Sequence, residues 1–240
     1  MNIISSDENY SISTMLTEQL EEMSVLDIYS YLLVEEADSI PQIVHKLSDE
    51  KLAAVIDLSS WDKDIFNSYN YTTWLKVILS MDQFEALRNI KRLDRAELIL
   101  FIAGVTDIVW KEPDVNYEGN PYVSPDLAFL IYTKDGQDES ELYSIAVSII
   151  NLAYSEDISY GRSLCMDAMS AIYSALEEDC FRFKNARLSD EGVPTYLEAL
   201  ELYHYEDPTK LLSRILKLAS NDNNKTAPSQ EYVLSQHAMI

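Results

Sequence analysis

Three cations stand within six residues of a strongly acidic chain: Arg182, Lys184 and Arg187, in "RFKNARLSDEGVP". Two guanidinium forks and an ammonium at that spacing could hold a small anion or an acidic partner surface. The same cations could instead be structural. Glu178 lies four residues before Arg182, and Asp190 and Glu191 lie in the turn that follows. An arginine fork on a carboxylate would then brace a helix-to-helix corner at Gly192. A second candidate binding surface is aromatic. Tyr117, Tyr122 and Tyr132 surround one long loop, and tyrosine offers large contact area at small entropic cost.

Other chemistry finds little to work with. The histidines are His45, His204 and His237, with no Cys or His at metal-ligand spacing. "HYED" sets His204 beside Glu206 and Asp207, the pattern of an exposed linker more than of a metal site. No G-x-S-x-G, G-x-x-x-x-G-K-[ST] or G-x-G-x-x-G occurs. With 41 Asp plus Glu, a chance carboxylate pair carries no information about acid–base work. No catalytic residue, metal ligand or cofactor is therefore assigned.

The 18 Lys plus Arg leave a formal net charge of -23. A field of that sign repels nucleic-acid backbones and anionic lipid heads. The first Lys or Arg is Lys46, and the longest uninterrupted apolar run, "LILFIAGV", has eight residues. A membrane span needs roughly 20. A cytoplasmic protein without membrane insertion is expected. If Cys165 and Cys180 share one helix, fifteen steps set them roughly 22 Å apart, too far for a disulfide. Two reduced, buried thiols follow.

The elements that must position these residues are mainly helical. Only 5 Gly and 7 Pro interrupt 240 residues. Four stretches repeat one cue, a Ser or Asp between two apolar residues: Ser24, Ser48, Ser80 and Asp94. Each is an expected N-cap, and Asp27, Gln83 and Glu97 complete capping boxes for three of them. Residues 13–104 are expected to be stacked short helices, with Trp61 and Trp74 as core anchors. Residues 105–137 hold a long loop between "VTDIVW" and "LAFLIYT", expected to pair as a minor β-hairpin. Residues 138–218 are expected to form a helical bundle. Its first helix carries Leu142, Ile145, Ala146, Ile149, Ile150 and Ala153 on one face; its second carries Leu164, Ala168, Met169, Ile172, Ala175, Leu176 and Phe183 on one side and runs to about Arg187. "TYLE", Thr195 to Glu198, opens a further helix, and residues 219–240 are expected to be a disordered tail.

The stretch "EEDCFRFKNARLSDEGVPTYLEALELYHYEDP", Glu177 to Pro208, resembles the C-terminal signature of a bacterial family of uncharacterised, mainly helical proteins, a domain of unknown function. Arg182, Arg187, Asp190, Gly192, Pro194, Tyr203 and Pro208 occupy its signature positions. "LSDEKLAAVIDLSSWDKD", Leu47 to Asp64, is similar to that family's helical repeats, and through them to the cytosolic superstructure of MgtE-type magnesium transporters. No activity comes with the family.

These observations lead to a non-catalytic helical interaction or scaffold module with a protein partner. A sensor binding a divalent cation or small anion through the acidic helices or the basic corner is the alternative; the MgtE likeness suggests the divalent cation. An unrecognised hydrolase or transferase is the third. Oligomeric state is left open.

Overall fold

A computed structural model describes residues 12–112, 119–134 and 141–202. Of these residues, those up to Thr195 belong to one compact unit, and Tyr196 opens a second. Among the described residues the chain is mainly α-helical, with two minor antiparallel sheets.

The N-terminal helices are short: α1 Thr17–Glu22, α2 Val25–Leu32, α3 Ile40–Lys46, α4 Asp49–Ser60, α5 Ser68–Leu79, α6 Gln83–Arg92 and α7 Arg95–Val105. Five of these seven, α2, α4, α5, α6 and α7, carry a side-chain N-cap. Ser24 caps α2 by accepting from the Asp27 N–H, and Ser48 caps α4 through the Lys51 N–H. Asp94 caps α7, accepting from the N–H groups of Ala96 and Glu97. The fourth cap is Asp82, not Ser80. Ser80 still belongs to the end of α5, donating its hydroxyl to the Val77 carbonyl. Asp82 accepts from Phe84 and Glu85, and a carboxylate suits a helix N-terminus better than a hydroxyl does. The three expected boxes also fail. Asp27 takes the Ser24 hydroxyl, Gln83 is the first residue of α6, and Glu97 turns its carboxyl group to Arg187 and Trp61.

The apolar run "LILFIAGV" forms most of α7. Leu98 through Ala103 are all buried, as expected of a helix apolar on every side. Helices α5, α8 (Glu141–Glu156), α9 (Ile158–Ser170) and α10 (Tyr173–Asp190) surround it. Gly104 permits a close approach to α10: a Cβ there would stand 2.9 Å from the Tyr173 ring.

The expected hairpin is present and extended. β3 (Thr106–Trp110) pairs antiparallel with β5 (Phe129–Thr133), Ile108 opposite Ile131, and β4 (Tyr122–Val123) adds to the other side of β5. A second, two-stranded ribbon of β1 (Trp61–Asp62) and β2 (Ile65–Phe66) was not anticipated. It turns at Lys63, whose φ is 60°.

The C-terminal half departs from expectation at one point. The second long helix is two, broken at Ala171 and Ile172. Cys165 therefore lies on α9 and Cys180 on α10, both free and buried. Ile172 and Phe183 are exposed, because the inward face of α10 is built from other residues: Glu177, Cys180, Lys184, Arg187 and Leu188. Hence α10 packs on α4 and α7, while α8 and α9 pack on each other and on α7. The α8 stripe is buried as expected.

At its end α10 closes with Gly192 at φ 76°. The Gly192 N–H donates to Ser189 and the Val193 N–H to Leu188. This pairing satisfies the last carbonyls and requires a left-handed residue, which favours glycine. Helix α11 (Tyr196–Leu202) begins as expected. The 219–240 tail lies outside the described residues.

Candidate functional site

The three cations of the basic stretch go three ways. Arg182 points to solvent and pairs with Glu178 and, at 3.6 Å, with Asp179. Lys184 turns inward. Its Nζ donates to the Lys63 carbonyl at 2.8 Å and lies 5.3 Å from the Trp61 ring centroid and 5.0 Å from that of Phe181. Burial pushes its pKa down. Arg187 reaches the core. The three do not converge on one anion-sized opening.

Arg187 leaves the last turn of α10 and meets three carboxylates from two other helices. Its Nε and Nη2 fork onto Asp57 of α4 at 2.8 and 2.9 Å. Nη1 donates to Asp94 at 2.5 Å, and Nη2 donates also to Glu97 at 2.9 Å. The Asp57 side chain is 0% exposed and that of Glu97 3%. The expected corner brace is corrected here: Arg187 holds Asp57, Asp94 and Glu97, not Asp190 or Glu191. The nearby Glu191 pairs with Lys51 at 3.5 Å instead. Residues far apart in sequence win because they bring full burial and a bidentate geometry.

The cluster's electrostatics follow from crowding. Burial raises Glu97 well above the usual carboxylate range, the adjacent Asp57 raises it further by repulsion and a hydrogen bond, and Arg187 opposes both. Burial disfavours the Arg187 charge, yet the bond to Asp57 and the three acids outweigh it and raise its pKa. Burial and the acids Glu97 and Asp94 push the Cys180 thiol up to about 12. Such a thiol stays protonated and is a poor nucleophile. The Trp61 indole donates to Glu97 at 3.4 Å. Tyr71 of α5 is buried with its hydroxyl unpartnered among the described residues, and burial, then Glu97, Asp94 and Asp57, raise its pKa.

A second polar hub lies in the turn between β4 and β5. Asp126 accepts from Ser124 Oγ at 2.7 Å, Tyr154 Oη at 3.1 Å and the Ala128 N–H at 3.2 Å. Arg162 adds Nε at 2.9 Å and Nη2 at 2.8 Å. Burial alone would raise its pKa, but these donors outweigh it and hold Asp126 below the usual value.

Of the tyrosines, Tyr122 is half-buried. Its hydroxyl donates to Asn151 of α8, and its N–H donates to Tyr143 Oη at 3.4 Å. Tyr132 faces Asp107 across the sheet and is half-buried. Tyr117 lies outside the described residues. Three cations at the end of α6 and the start of α7 are also engaged in ion pairs: Lys91 with Glu156, Arg92 with Asp49 and Arg95 with Asp167.

The apolar opening lies elsewhere. A groove of about 230 Å³ runs between α2 and α5. Tyr29, Leu32, Leu33, Ile40, Trp74 and Val77 supply its apolar lining, with Ser59, Asn70 and Thr73 as its polar edge. Trp74 spends its indole N–H on Ser59 Oγ at 2.7 Å, as a core anchor should. Leu33 is 67% exposed and the adjoining Val34 81%.

A family model described as a family of unknown function, DUF6178, matches residues 21–239. The chain belongs to that family. The matched residues include both the Arg187 cluster and the groove. No curated protein and no solved structure matches the chain. Among the described residues no group of three or more His, Cys, Asp or Glu is arranged to hold a metal ion. Nor is any described helix long and apolar enough to cross a membrane.

The sequence pointed to Arg187 but not to its partners. Asp57 was one acid among 41. The available signal was its position: Ala54, Asp57, Ser60 and Trp61 continue the buried face of α4 at helical spacing. Glu97 was assigned to a cap, and the groove had no sequence signature at all.

Proposed function

We propose that this DUF6178 chain is a non-catalytic helical interaction module whose α2–α5 groove receives an apolar side chain of a protein partner. The observation that carries this reading is the groove's lining. It includes no charged residue, in a chain of which 25% is charged. At about 230 Å³ it falls below the roughly 300–1,000 Å³ of small-molecule sites and suits one large side chain. Glu36 and Asp38, both exposed, lie in the connection between the groove residues Leu33 and Ile40. A basic residue beside the partner's apolar anchor complements them.

The enzymatic reading has less support, because the groove's lining offers Tyr29 as its sole titratable group. The ion-sensor reading, with its MgtE likeness, has no observation in its favour: the basic stretch is divided and Arg187 is occupied. The two unpaired thiols accord with a cytoplasmic setting.

The test is affinity capture with the full chain, followed by rebinding of the purified partner. Leu33→Asp and Thr73→Arg, both at exposed positions, should abolish binding without changing the melting temperature. Arg182→Glu should leave it intact, and added salt should weaken it by screening the acidic rim. A partner that binds the two groove variants as tightly as the wild type removes the groove from this reading.

A further inference from the structure

We propose that Glu97 carries a proton in the folded protein at neutral pH, so that the docking of α10 on α4 and α7 weakens as the medium turns alkaline. Charge counting leads there first. The single guanidinium of Arg187 from α10 meets Asp57 of α4 and Asp94 and Glu97 of α7. Lys184, the other cation α10 turns inward, faces Asp57, Glu97 and Asp64. Four carboxylates against two cations leave negative charge in excess, and Asp57 and Glu97 are the two that are almost wholly buried. A buried unpaired charge is expensive, and a carboxyl group in that position takes up a proton instead.

Hydrogen-bond accounting then says which carboxyl group holds it. Both Asp57 oxygens accept from the Arg187 fork. Asp94 accepts from two backbone N–H groups on Oδ1 and from Arg187 on Oδ2. Glu97 accepts through Oε1 from Arg187 and Trp61. Arg187 Nη2 is thus shared between Asp57 Oδ1 and Glu97 Oε1. Asp57 and Asp94 have both oxygens committed to N–H donors, whereas Arg187 and Trp61 engage Glu97 through Oε1 alone, so Glu97 is the acid with an oxygen left to carry a proton.

The remaining titratable neighbours do not supply the missing positive charge. Tyr71 of α5 and Cys180 of α10 both have raised pKa values and are neutral near pH 7. Arg95 of α7 is spent on Asp167 of α9 at 2.6 Å. Because Glu97 binds its proton more tightly folded than unfolded, its contribution to stability is complete below the unfolded glutamate value of about 4.3. That contribution is lost as pH rises through the folded value. Loss of the proton leaves two buried acids repelling across Arg187, the side chain that ties α10 to α4 and α7.

The experiment is a carbon-13 NMR titration of the carboxyl groups in the full chain, with Glu97→Gln to assign the resonance. Melting curves of both proteins between about pH 6 and pH 9 run beside it. Glutamine keeps a donor toward Asp57 and cannot ionise. The Glu97 carboxyl should be neutral at pH 7, and the wild-type melting temperature should fall toward alkaline pH more steeply than that of Glu97→Gln. The difference between the two profiles isolates Glu97 from ordinary Lys and Cys titration. An ionised Glu97 at pH 7, a proton found on Asp57, or parallel melting profiles would overturn the proposal. Should Glu97→Gln fail to fold, the wild-type titration with glutamate-selective labelling decides alone.

Discussion

At Arg187 one guanidinium serves three carboxylates; at Asp126 one carboxylate is served by a guanidinium, two hydroxyls and a backbone N–H. Both acids at the centre are almost wholly buried, Asp57 at 0% and Asp126 at 5% exposure. The difference lies in the supply of donors. Asp126 has more donors than it needs to stay ionised, so its pKa falls. The Arg187 cluster has too few, so Glu97 rises. The hubs differ as well in reach. Arg187 and Asp57 are separated by 130 residues, whereas Asp126 finds its partners within 36. One hub joins α10 to the N-terminal helices; the other ties a sheet turn to the helices that follow it.

The largest expected effect tests that asymmetry. Arg187→Met keeps the bulk of the side chain and removes the fork, leaving Asp57 and Glu97 buried with no cation between them. A loss of about 3–5 kcal/mol is expected, as for other buried pairs broken from one side. Equilibrium denaturation measures it. Asp126→Ala should cost less, about 1–3 kcal/mol, because it strands neutral donors and an arginine that is 47% exposed. The pH signs should also oppose. Asp126 has a lowered pKa, so its contribution is present above the unfolded value near 3.9. It is lost as pH falls through the folded value. The acid limb of the melting profile should therefore flatten in Asp126→Ala. Equal losses at the two hubs, or an acid limb unchanged in Asp126→Ala, would dissolve the distinction drawn between them.

The same contrast separates what was legible in the sequence from what was not. Caps at Ser24, Ser48 and Asp94 were readable because a cap is closed by residues two or three positions away. The β3–β5 pair was readable because two β-prone runs flank one loop. The Asp82 cap was missed by two residues, since Ser80 and Asp82 are both competent and only the extra turn of α5 decides between them. The break between α9 and α10 has no Gly or Pro to mark it. It arises because α10 turns a polar face inward, and apolar periodicity cannot see Glu177, Lys184 and Arg187 as an interior. The Arg187 cluster needs three helices in place before it exists. Its members looked like a cap residue, a surface acid and a corner cation.

The smallest effect is the sharpest probe, because one substitution should act with opposite sign at the two hubs. Tyr154 donates to Asp126 at 3.1 Å, and Tyr154→Phe removes a made bond, costing about 1 kcal/mol. Tyr71 is fully buried beside Glu97 with its hydroxyl unpartnered among the described residues. Tyr71→Phe removes a polar atom that was desolvated without compensation, so stability should hold or rise by up to about 1 kcal/mol. The Phe66 and Phe101 rings that pack on it, at 5.1 and 5.8 Å between centroids, meet the same aromatic face in either case. If Tyr71→Phe instead destabilises as much as Tyr154→Phe, the Tyr71 hydroxyl is hydrogen-bonded in solution. An ordered water between it and the acids would supply that bond. The Arg187 cluster would then be better provided with donors than its side chains alone suggest, and the contrast with Asp126 would narrow.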